Sequence, residues 1–130
     1  DRQKYLIYGY AGESGTVGVI VNNVPLFFDS EPYIDENSRT IVPVRAIAEA
    51  LGAEVDWDQR AREVTIKNGT SKVTMTIGSN VAWIDGQKYV MDTVPVIKND
   101  RTMVPVRYVS ELLGATVDFD DDYRIVVITK

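Results

Sequence analysis

The chain has 130 residues, 45% of them apolar and 25% charged, which is ordinary globular composition with length enough for one core or two small fused ones. Its 14 basic and 19 acidic residues leave a net charge of −5 with no Lys/Arg run. A nucleic-acid partner, whose affinity comes from clustered cations, is therefore not expected. There is no histidine and no cysteine, so Ser-His-Asp and Cys-His machinery is excluded and a transition-metal centre nearly so.

In chain order, Tyr5–Tyr10 reads as a short strand and Gly12-Glu13-Ser14-Gly15 as a loop, together an N-terminal arm over 1–16. Val17–Val21 and Val24–Phe28 are apolar runs joined by Asn22-Asn23. Asn tolerates the positive φ of a tight primed turn, so the pair predicts a hairpin. An extended stretch at Pro32–Ile34, a polar loop at Asp35–Ser38 and a strand at Thr40–Val42 follow. Pro43 is expected at the first helical position, where its missing N–H costs nothing. Val44, Ile47, Ala48 and Leu51 then fall at i, i+3, i+4 and i+7, a single buried stripe on a short helix. Gly52 suits its left-handed cap. Val55 and Trp57 alternate with Asp56 and Asp58, the pattern of a half-buried strand that puts Trp57 in the core. Glu63–Lys67 closes the unit, and Lys72–Ile77 adds one more strand.

The order then starts again. Val81–Ile84, Asp85-Gly86 and Gln87–Met91 form a second hairpin. They are followed by Pro95–Ile97, Thr102–Val104, Pro105, the stripe Val106, Val109, Ser110 and Leu113, and the cap Gly114. Val117 and Phe119 alternate with Asp118 and Asp120, which puts Phe119 in the core like Trp57, and Arg124–Thr129 closes the second copy. From Arg39–Lys67 to Arg101–Thr129, 16 of 29 positions are identical at an offset of 62. Upstream of the Asp35–Ser38 loop the offset is 63, because the first copy carries one extra residue there. Neither helix is long enough to be stable without a sheet over its stripe. The expected fold is α+β: two tandem repeats, 17–70 and 71–130, each a small antiparallel sheet wrapped around one short helix. No apolar run approaches the roughly 20 residues of a spanning helix, so membrane insertion is not expected.

The run Arg101-Thr102-Met103-Val104-Pro105-Val106-Arg107, its partner at Arg39–Arg45, and the Glu-x-Leu-Gly-Ala-x-Val-Asp-Trp/Phe-Asp that follows each resemble the copper amine oxidase N-terminal (stalk-type) domain family. Val21-Asn22-Asn23, Phe28-Asp29 and Pro32 extend the likeness upstream, with Ile84-Asp85-Gly86, Met91-Asp92 and Pro95 in the second copy. It covers about 17 to 129 and departs from the family pattern at Asp35–Ser38. The resemblance implies an antiparallel sheet twisted around a helix. It also implies a place in secreted or cell-surface proteins of Gram-positive bacteria, hence an extracellular location. It implies no catalysis, because in amine oxidases the copper and the modified tyrosine cofactor lie in a different domain. The expected function is a non-catalytic stalk, spacer or interaction module with no cofactor, whose partner is a cell-surface protein or a cell-wall polysaccharide. The alternative is a glycan-binding module.

Several residues could carry more. Arg45/Glu49 and Arg107/Glu111 stand four apart on helix flanks, the spacing of surface ion pairs. Arg39 and Arg101 are expected to pair with repeated aspartates. Asp118, Asp120, Asp121 and Asp122 offer calcium-type oxygen ligands, but without EF-hand spacing, and a solvated turn is the preferred explanation. Four aromatics of the second copy replace non-aromatic residues of the first: Trp83 for Ile20, Tyr89 for Leu26, Tyr108 for Ala46 and Tyr123 for Ala61. Exposed Trp and Tyr make flat contact surfaces, so these four are the candidate ligand or partner contacts. Divergence in core packing is the competing explanation.

Overall fold

Asn22 and Asn23 take φ of 48° and 68°, the primed turn expected of them, and join β1 (Gly18–Val21) to β2 (Val24–Leu26). Asp85 and Gly86 do the same, at 50° and 84°, between β8 (Val81–Ile84) and β9 (Gln87–Val90). The computed structural model describes residues 17–130, so the Tyr5–Tyr10 strand and the loop after it lie outside the described residues. The other elements are β3 (Tyr33–Ile34), β4 (Thr40–Pro43), α1 (Val44–Ala50), β5 (Glu54–Asp58), β6 (Glu63–Asn68) and β7 (Ser71–Thr76). After β9 come β10 (Val96–Lys98), β11 (Arg101–Pro105), α2 (Val106–Leu112), β12 (Thr116–Asp120) and β13 (Ile125–Thr129). The class is α+β.

The sheets do not follow the two copies. One sheet runs β12-β13-β1-β2 and another β5-β6-β7-β8-β9. Strand β1 of the first copy lies parallel to β13 of the second, Gly18 beside Ile125 and Val21 beside Ile128. In the other sheet β7 stands between β6 and β8, antiparallel to both. The expectation that each copy wraps a sheet of its own around its helix is thus corrected: each hairpin completes a sheet begun by the other copy. Residue alternation decides which face of a strand is buried and is silent about which strand lies beside it. The long excursion between β1 and β13 supplies the crossover that a parallel pair requires.

A third sheet, β10-β11-β4-β3, joins the copies at their centre. There β4 and β11 run antiparallel with Val42 opposite Val104, Pro43 opposite Met103 and Ile41 opposite Pro105. The equivalent Val42 and Val104 face one another, and the residues on either side exchange roles about them, which is a local two-fold. Each central strand leads directly into a helix, and α1 and α2 pack against each other.

Pro43 and Pro105 precede the helices and do not begin them. Their ψ values of 121° and 124° are extended, because proline sets φ but leaves ψ to the strand ladder. At the other end Gly52 and Gly114 adopt φ of 85° and 87°. The Ala53 N–H donates to the Ala48 carbonyl at 2.8 Å and the Gly52 N–H to that of Glu49 at 3.0 Å, a Schellman closure that the second copy repeats at Ala115 and Gly114.

Both predicted stripes are buried: Val44, Ile47, Ala48 and Leu51, and Val106, Val109, Ser110 and Leu113. Their apolar members share one cluster with Val55, Ile66, Met75, Val117 and Ile128. Trp57 and Phe119 depart from the expected core placement. Trp57 is partly buried against the cluster and Phe119 is 36% exposed. Val55 and Val117 already occupy the core face, and two residues further along a strand rising about 3.3 Å per residue the rings reach the sheet rim.

Candidate functional site

Arg39 stands at the head of β4 and Arg101 begins β11, so the antiparallel centre aims each guanidinium at the other copy. Arg39 Nε donates to Asp92 Oδ2 at 2.9 Å, and its Nη2 donates to the same oxygen. Arg101 Nε donates to Asp29 Oδ1 at 3.2 Å and its Nη2 to Oδ2. The hydrogen bond from Arg39 holds the Asp92 carboxyl down at about 2, against a smaller opposing desolvation. The bond from Arg101 lowers Asp29 in the same way. A further tie crosses between copies. The Thr93 hydroxyl donates to Asp35 Oδ2 at 2.6 Å, and Asp35 Oδ1 also accepts from the Asn37 and Arg39 N–H groups, which shapes the longer first-copy loop.

Beside each ion pair lies an equivalent hollow, and the two are filled differently. In the second copy the Tyr108 hydroxyl donates to Asp92 Oδ1 at 3.0 Å and accepts from the Asp92 N–H at 3.3 Å. Its ring meets Tyr89 edge-on, with centroids 6.0 Å apart. Burial, then the bond to the Asp92 carboxylate, raises the Tyr108 phenol. In the first copy the corresponding residues are Ala46 and Leu26. A groove of about 840 Å³ opens there, lined among others by Phe27, Phe28, Asp29, Ala46, Trp57 and Arg101. The Trp57 indole N–H donates to Gln59 Oε1 at 2.8 Å, which orients the ring on the groove wall. The Asp29 side chain is 67% exposed, against 47% for Asp92 beneath Tyr108.

The four aromatics singled out in the sequence do not form one face. Tyr89 and Tyr108 meet. Trp83 pairs across with Lys88 while Tyr89 pairs with the buried Ala82, so alternation puts Trp83 and Tyr89 on opposite faces of the β8–β9 hairpin. Trp83 is 46% exposed. Tyr123 packs, with Val127, against Ile20 and Ile125. The Asp120 carboxylate accepts from the Asp122 and Tyr123 N–H groups and closes the turn after β12, as Asp58 does with Arg60 and Ala61. Asp118 is exposed on β12, and Asp121 and Asp122 are exposed in the turn. Among the described residues no three acidic side chains are placed to hold a metal ion. Arg107–Glu111 at 3.1 Å and Arg45–Glu49 at 3.8 Å are exposed helix-flank pairs.

The residues at which the groove opens, Asp29, Ala46 and Trp57, were not singled out from sequence as a site. The signal was present in the Ala46/Tyr108 difference. A large residue in one copy marks a space that the small one leaves open in the other.

A family profile described as the copper amine oxidase N-terminal domain matches residues 20–128. A Brevibacillus choshinensis protein named "Protease inhibitor" is 30% identical over 94 residues, which is 72% of this chain and 29% of that protein. The chain thus spans less than a third of that relative's length.

Proposed function

The chain belongs to the copper amine oxidase N-terminal domain family, and from that premise we propose that it is a non-catalytic structural and interaction module of a secreted or cell-surface bacterial protein. The observation that carries the reading is the interlock: β1 completes the β12–β13 sheet, while Arg39–Asp92 and Arg101–Asp29 bind the copies reciprocally. Charged residues repeated in both copies are taken up by scaffold, and the unit is suited to hold and present a surface. Among the described residues no helix is long and apolar enough to cross a membrane. A relative in which such a stretch fills under a third of the length fits a module serving beside other segments.

Fractionation of the native host tests the reading. The protein is expected in the culture medium or the cell-wall fraction, and recovery from the cytosol alone would overturn it. A glycan- or cell-wall-binding role is the second reading, favoured by the exposure of Trp83 and Tyr89, 46% and 45%. Retention on peptidoglycan or insoluble polysaccharide, lost in Trp83→Ala, separates it from a partner that is a protein.

A further inference from the structure

We propose that the groove beside Asp29 and Ala46 receives a tyrosine side chain from an extended segment of a partner polypeptide, its phenol donating to the Asp29 carboxylate. The inference deepens the interaction-module reading and rests on it.

The second copy is the template. There an internal tyrosine, Tyr108, occupies the equivalent place and donates to Asp92 Oδ1 at 3.0 Å, and the carboxylate is held ionised by Arg39. The first copy keeps the carboxylate and its arginine, with Asp29 ionised by Arg101. It replaces the tyrosine itself with Ala46 and leaves the groove.

The ion pairs differ in how the guanidinium meets the carboxylate. Arg39 places both of its donors on Oδ2 of Asp92, leaving Oδ1 to the phenol. Arg101 spreads over both oxygens of Asp29, whose side chain lines the groove and stays 67% exposed. The apolar walls suit a ring: Phe28 and Trp57, the latter fixed by Gln59. At about 840 Å³ the groove exceeds one ring and lies in the range of sites that bury an extended ligand, so flanking backbone fits with the side chain. A phenol is chosen over a sugar hydroxyl because this protein already solves the same geometry with a phenol.

The test is an amide and indole NMR titration of the 130-residue chain with Gly-Gly-Tyr-Gly-Gly and Gly-Gly-Phe-Gly-Gly. The tyrosine peptide is expected to shift the signals of Asp29, Ala46 and the Trp57 indole. The phenylalanine peptide should bind about fivefold more weakly, the size of one hydrogen bond. Ala46→Tyr, which fills the groove from within, should abolish the shifts, and Tyr108→Ala should add a second set at Asp92. Equal binding of both peptides, no binding of either, or shifts that persist in Ala46→Tyr each overturn the proposal. Shifts produced at the same signals by chitin oligomers instead of the tyrosine peptide do so too. The wild-type comparison decides the matter even if a variant fails to fold. Failure here with secretion intact removes the site and leaves the module reading standing.

Discussion

Arg39 pairs with Asp92 of the other copy and not with Asp29, its counterpart within its own. The reciprocal Arg101–Asp29 contact makes the tie two-fold. Because both pairs are exposed their energies are small and salt-dependent, but their specificity is sharp. A double-mutant cycle on Arg39→Ala and Asp92→Ala should show favourable coupling in urea unfolding at low salt, and the cycle on Arg39→Ala and Asp29→Ala should show none. The reverse result would contradict the crossed arrangement.

The same pair makes stability depend on acid. The Asp92 carboxyl lies near 2 when folded, below its ordinary 3.8. A depressed folded value contributes stability above the unfolded one, and that contribution is lost as pH falls through the folded one. Asp92→Asn should therefore be less stable than wild type at pH 6, and the gap should close between about pH 4 and pH 2. Asp29, lowered for the same reason, should behave alike. A gap that stays constant down to pH 2 would rule out this linkage.

Ser110 is fully buried on α2, and its hydroxyl finds no hydrogen-bond partner within the described residues. Its counterpart at the same place on α1 is Ala48. A buried unsatisfied hydroxyl costs about 1 kcal/mol or more. Ser110→Ala is accordingly expected to raise the melting temperature by a few degrees. A drop would mean that the hydroxyl is bonded in solution.

Gly52 and Gly114 close the helices at φ of 85° and 87°, with nothing within 4 Å of where a Cβ would stand. Substitution by Ala meets backbone strain and no clash. Each change should destabilise the protein by about 1 kcal/mol, measured by denaturant unfolding. The two should add, since they cap different helices.

Local elements were legible because their causes are local. Asn22-Asn23 and Asp85-Gly86 carry their turn conformation in their own φ preferences, and the Val44–Leu51 and Val106–Leu113 stripes carry their buried face in the 3.6-residue period. Pro43 lies one step outside the helix, because proline constrains φ alone. Trp57 lies at the rim of the core, because alternation assigns a face without saying how far along the sheet the cover extends. Among the aromatics of the second copy Tyr108 is engaged with Asp92, and its meaning lies in the space opposite it in the first copy.

By itself the sequence determined the α+β class, the hairpins, both helices with their caps and the doubling of the pattern, all consequences of short-range φ/ψ preference and periodicity. Which strands lie side by side was decided only by the tertiary structure. Two copies with nearly the same pattern satisfy burial equally well whether their sheets close within a copy or across copies. The exchange of hairpins, the crossed Arg–Asp pairs and the groove beside Ala46 follow from that choice.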